Sequence, residues 1–305
     1  MGTAYIVFRQ TVVMFLYMSA GYCLFKTEKM TYKGSRDIAT LLVWLVIPVV
    51  LVNSFCVERS MSRIIELLQS AFVTALSLVI AMAIAKLLFR DRPIDNFGAA
   101  FSNAGFIGIP LVQAALGDDA VFWIVSMVAM MNMLQWSYGV GLLTGERSAV
   151  GLRHLIFNPI LVGIGIGLIL FFTGIGVHLP AVVSAALAGI SSLNAPLAMI
   201  VLGSYLAQSD LKKLFTSPGL YKLSAVRLIL IPLVTLLALH FIPVRPEILM
   251  TVFIGASTPT GANVAVYAQL YDKDYPYACQ VVALTTLLSI ITLPLMLMLA
   301  DPLLG

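Results

Sequence analysis

Charge is what this sequence lacks. Asp, Glu, Lys and Arg make up only 10% of its 305 residues, against roughly 25% in soluble domains. Hydrophobic residues make up 60%, and the mean hydropathy is +1.00. So much apolar surface cannot hide in one soluble core, and lipid must be the solvent for most of it. Strict apolar–polar alternation is also missing, which excludes barrel strands, and an open sheet edge cannot face lipid. The chain therefore reads as an all-α polytopic membrane protein. HExxH and GxSxG do not occur, and no intramembrane aspartate is present for a protease dyad, so the chain is not read as an enzyme. Cys23, Cys56 and Cys279 show no CxxC spacing and are read as free thiols packed as small apolar residues. No metal or cofactor is expected. The net charge of +4 is read as loop lysines and arginines that set topology, not as a nucleic-acid footprint.

Apolar runs between charged or Pro/Gly-rich breaks give ten segments: 4–25, 36–57, 64–89, 96–117, 120–143, 154–176, 180–207, 218–242, 247–271 and 275–299. The first run has no small-residue cleavage site after it and is read as a retained helix. Loops are short and no linker appears, so residues 1–305 form one membrane domain. Thirteen Lys and Arg residues fall in odd-numbered loops and three in even-numbered ones (Arg59, Arg63 and Arg245). That bias puts the odd loops in the cytoplasm and both termini outside.

The chain also divides near residue 150 into halves of five segments, 1–150 and 151–305. At an offset of 156, Phe97, Gly105, Gln113 and Asp118 coincide with Phe253, Gly261, Gln269 and Asp274. A five-span repeat must insert upside down relative to its partner, as in many secondary transporters. Segment four carries Asn103-Ala-Gly105-Phe-Ile-Gly108-Ile-Pro110, and segment nine carries Thr258-Pro259-Thr260-Gly261-Ala262-Asn263. Paired Gly/Pro interruptions in matching segments point to a binding site near the midplane. A break there creates a half-helix N-terminus with free N–H groups and about +0.5 of a charge, suited to an anion. Pro110 is expected to begin one half-helix and Asn263 to cap the other, with Gly105, Gly108, Pro259 and Gly261 marking the breaks. Asn103, Thr258, Thr260 and Asn263 would cost energy facing lipid, so they face protein, water or ligand. Asn53 and Asn194 either join them or hydrogen-bond between helices.

Asn103 to Leu111, Asn-x-Gly-Phe-x-Gly-x-Pro-Leu, resembles the helix-four signature of the auxin efflux carrier family. That family includes bacterial carriers for malonate- and malate-like anions and the plant PIN-type exporters. Arg153-His-Leu-Ile-Phe-Asn158-Pro159, Arg227 followed by Pro232, and Pro259-x-Gly261 with Tyr271-Asp272 match family patterns too. The resemblance implies ten helices in two inverted repeats, with helices four and nine broken and crossing at the substrate site. It implies that helices one, two, six and seven form a scaffold and that the others move, in an elevator-type cycle across a bacterial inner membrane. A homodimer through the scaffold helices is one assembly such a plan allows. By the same resemblance Asn103 is a carboxylate-contacting amide and Pro110 the crossover proline. Where the plant pattern has a second proline after the glycine, this chain has Ala262-Asn263-Val264.

All 14 Asp and Glu residues fall in loops or at segment ends, which argues against a midplane carboxylate relay. Arg227, about nine residues into segment eight, is expected to snorkel or to bind phospholipid rather than substrate. Gly163-x-Gly165-x-Gly167 lacks a strand and an acidic partner and is read as a close-packing stripe. The expected function is secondary transport of a small mono- or dicarboxylate; a passive anion channel is the alternative.

Overall fold

Runs of apolar residues in lipid must satisfy their own backbone, and helices do so within each segment. The computed structural model describes residues 3–145, 158–208 and 211–304, and every regular element among them is a helix. Seven of these helices are long and apolar enough to cross a membrane: Tyr5–Lys26, Tyr32–Ser54, Met61–Leu88, Asp118–Thr144, Ala181–Gln208, Pro218–His240 and Tyr275–Leu304. Ala104–Leu116, Pro159–Thr173 and Pro246–Ser257 are shorter apolar helices. The division near residue 150, with Arg147, Arg153 and His154, lies outside the described residues.

Prolines shape several of these helices. Leu42–Val46, Ala104–Gly108 and Val226–Leu230 are π-helical turns, each followed within two residues by Pro48, Pro110 or Pro232. A proline ring collides with the carbonyl four residues back, and the wider π turn moves that carbonyl aside, so the helix continues. A fourth π turn, Gln135–Gly139, has no proline. There Gly139 lies under Phe97, where a Cβ would stand 2.3 Å from Cε2 of the ring. Pro159 takes the first position of its helix, with the Asn158 side chain accepting from the Ile160 N–H at 2.9 Å. That helix ends at Gly174 with φ 72°, a left-handed cap that suits glycine.

Small residues set the closest helix contacts, since in lipid close backbone approach replaces hydrophobic drive. A Cβ on Gly203 would lie 1.9 Å from Met18 O, and one on Gly21 would lie 2.1 Å from Ile200 O. The first helix and Ala181–Gln208 therefore touch backbone to backbone. Likewise Gly163 abuts Pro48 and Gly167 abuts Phe55, which packs Pro159–Thr173 onto the second helix; Gly165 meets nothing within 4 Å.

Two acidic groups at segment ends are buried. Glu66 is 5% exposed and accepts from Arg245 Nη1 at 2.8 Å and Trp123 Nε1 at 3.1 Å. Asp95 accepts from Tyr277 Oη at 2.6 Å and Arg92 Nη1 at 3.2 Å. Each carboxylate is bound by an arginine and an aromatic donor, which meets the cost of taking it out of water.

Candidate functional site

Two helices stop short and their chains meet. Pro93–Ala100 gives way to non-helical Phe101–Asn103 before helix resumes at Ala104. Pro246–Ser257 gives way to Thr258–Ala262 before Asn263–Leu270. Ser102 and Thr260 form an isolated antiparallel bridge. The Asn103 N–H donates to Pro259 O at 2.8 Å, and the Gly261 N–H donates to Phe101 O at 3.0 Å. These bonds satisfy groups that the interrupted helices leave open. A Cβ on Gly261 would lie 2.9 Å from Ser102 O, so the approach requires glycine.

Several expected binding groups are occupied in building this crossing. Thr260 Oγ1 donates to Gly98 O at 2.8 Å, and Thr258 Oγ1 donates to Gly255 O at 2.8 Å. Both threonines are fully buried. Neither they nor Pro259 line the adjoining cavity, and Asn53, at the end of the second helix, does not line it either.

The resumed helices present their N-termini to that cavity. Asn103 caps one, its Oδ1 accepting from the Phe106 N–H at 3.3 Å. Its Nδ2 is buried without a hydrogen-bond partner. The Ala104 and Gly105 N–H groups, in the first turn, have no intrahelical acceptor. Pro110 does not begin this half-helix as the sequence suggested. It lies beyond the π turn, because that turn absorbs the missing N–H and lets helix start at Ala104. Gly105 and Gly108 lie in the π turn itself. Asn263 does not cap the second half-helix: Ala262 takes the cap position. The Asn263 amide turns instead to Gln135, donating Nδ2 to Oε1 at 2.7 Å. Asn194 donates to Gly105 O at 3.3 Å, and its Oδ1 has no partner.

Ser102, Asn103, Gly105, Asn132, Gln135 and Asn263 contribute to the wall of this cavity. Among the described residues, no Asp, Glu, Lys or Arg lines it. Asn132 and Gln135 are additions to the sequence reading; their signal was two amides three residues apart in an otherwise apolar run. An adjoining space shares Val43, Asn132, Ile160 and Asn263 and is walled by Trp44, Trp136 and Tyr267.

Arg227 corrects the sequence reading most sharply. It is 1% exposed, so it neither snorkels nor reaches a lipid headgroup. Its Nη1 donates to Ala99 O at 3.0 Å, its Nε donates to Thr258 O at 3.1 Å, and its Nη2 donates to Ala256 O. These carbonyls belong to the C-terminal ends of both interrupted helices, where orphan acceptors and negative partial charge collect.

A family model described as membrane transport protein matches residues 6–150 and 146–297. A protein of Rhizobium meliloti (strain 1021) named "Putative malonate transporter" is 27% identical over 270 residues, covering 83% of each chain. A protein of Methanothermobacter thermautotrophicus named "Uncharacterized transporter" is 26% identical over 282 residues, covering 86% of this chain and 89% of its own.

Proposed function

The chain belongs to this membrane transport protein family, and on that premise we propose that it is a secondary carrier for small organic anions of the mono- or dicarboxylate class. One observation carries the reading: the unpartnered Asn103 Nδ2 and two half-helix N-termini border a single cavity to which, among the described residues, no charged side chain contributes. A carboxylate fits such a place. It would accept from Asn103 Nδ2 and from the open N–H groups of the first turns, and the helix ends would supply the positive potential. The resemblance to a protein named for malonate transport agrees with this chemistry.

The architecture proposed around this site has ten spans in two inverted five-helix repeats, with the fourth and ninth broken where they cross. Both termini lie on the non-cytoplasmic side, as the basic-residue bias requires. The first, second, sixth and seventh spans would form the scaffold, and the rest would carry the site across the membrane. Close backbone contact between the first and seventh spans, and between the second and sixth, supports the grouping. A panel of carboxylates that includes malonate, screened by thermal stabilisation of the purified protein, tests the substrate class. An occupant at a hundred times its Kd adds about 2.7 kcal/mol of stability. Stabilisation by one or more carboxylates and not by their neutral amides supports the reading, and no carboxylate effect would refute it.

A further inference from the structure

We propose that Arg227 is the positioning residue of the anion site, acting by neutralising the C-terminal ends of both interrupted helices so that the charge left at the crossing is positive and faces the cavity. The inference rests on the carboxylate reading above.

Four helix ends meet at the crossing. Two are C-terminal, each with about −0.5 of a charge, and two are N-terminal, each with about +0.5. Left alone, the four would cancel, and the cavity would have little preference for an anion. Arg227 changes that balance. Its guanidinium is bound to carbonyls from both C-terminal ends, and among the described residues no carboxylate pairs with it. Its unit charge and the two C-terminal ends sum to roughly zero, which leaves about one positive charge at the two N-termini. One carboxylate would balance it.

The geometry gives Arg227 a second effect. Its planar fork reaches Ala99 in one interrupted helix and Ala256 and Thr258 in the other, and so clamps the two breaks beside the Ser102–Thr260 bridge. Four chain steps lead from Ala100 to Ala104, a span of at most about 14 Å. At an effective dielectric of about 20, a unit charge within that distance changes anion affinity by about sevenfold or more.

The test compares wild type with Arg227→Lys and Arg227→Gln, purified in detergent and checked by size exclusion. Binding is measured for malonate and malonamide, the neutral diamide of the same shape, or for the best carboxylate of the panel and its amide. Hydrogen exchange is followed in peptides covering 99–104 and 256–263. We expect Arg227→Gln to lose anion affinity about sevenfold or more with little change for the amide, and Arg227→Lys to recover most of it. Exchange at the two breaks should rise in the Gln variant and much less in the Lys variant. Equal loss of affinity in both variants, or wild-type affinity in Arg227→Gln, would overturn the charge role. Unchanged exchange in Arg227→Gln would overturn the clamp. If wild type binds no carboxylate, the functional reading fails on its own, and the exchange result still decides whether Arg227 holds the breaks. If Arg227→Gln does not fold while Arg227→Lys folds and binds, the requirement for charge stands.

Discussion

Ser102 and Thr260 pair as an antiparallel bridge although 158 positions separate them, and the bridge fixes where the two interrupted helices meet. Backbone pairing is costly to lose away from water. The crossing should therefore behave as one unit, and variants at its edge should separate into those that loosen it and those that empty it.

Gly261→Ala belongs to the first class. Its Cβ would stand 2.9 Å from Ser102 O, which pushes the two chains apart. We expect a destabilisation of about 1–3 kcal/mol, read as a lower thermal unfolding temperature in detergent. Gly105→Ala belongs to the second class, since its Cβ meets only Ile47 Cδ1, at 3.9 Å. It should unfold near the wild-type temperature yet bind a carboxylate less well, because the methyl group enters the cavity. Equal unfolding temperatures for the two variants would contradict this packing account.

Asn103→Ala removes the unpartnered Nδ2 together with the Oδ1 that caps the Phe106 N–H. Losing one hydrogen bond to a charged group costs roughly 1.5–3 kcal/mol, or about tenfold to a hundredfold in affinity. Asn263→Ala should cost less, because its amide is already bound to Gln135. Titration of one stabilising carboxylate into both variants checks the order. A larger loss in Asn263→Ala would make that amide the primary contact.

Pro110→Ala should leave the break in place. Non-helical chain runs from Phe101 to Asn103, well before Pro110, and the proline is housed by the preceding π turn. Substrate affinity should stay close to wild type. Loss of affinity as large as that in Asn103→Ala would show that the π turn itself shapes the site.

Transport should not need sodium. Among the described residues, no carboxylate lines the crossing cavity or the aromatic space beside it, and buried Glu66 and Asp95 are bound to arginines away from it. Uptake into proteoliposomes should be the same with sodium or choline outside. It should respond to membrane potential by about 2.3 kcal/mol per net charge per 100 mV. A steep sodium requirement would point to a cation site built from hydroxyls and carbonyls.

The all-helical membrane class was legible in the sequence, because apolar run length acts locally. Gly/Pro punctuation also acts locally, and non-helical stretches lie beside it at 101–103 and 258–262. The register in which those stretches meet was not legible. The offset of 156 aligns Gly105 with Gly261, yet Gly105 lies in a helical turn and Gly261 in the non-helical stretch. The bridge forms where the two backbones fit, not where residue types match. Arg227 was misread for a related reason. Its position in an apolar run suggested lipid, whereas its partners are carbonyls about 30 and 128 residues away, and nothing local announces them. Thr258 and Thr260 were polar at the right depth, but their hydroxyls had nearer acceptors in Gly255 and Gly98.

The central claim is that a carboxylate is carried at this crossing, and counterflow tests it most directly. Proteoliposomes loaded with an unlabelled carboxylate that stabilises the purified protein would be diluted into a trace of the same compound, labelled. Transient accumulation of label in wild type, with a much smaller overshoot in Asn103→Ala at the same low concentration, is the predicted result. Passive equilibration without overshoot would mean a channel, and an undiminished overshoot in Asn103→Ala would place the substrate elsewhere.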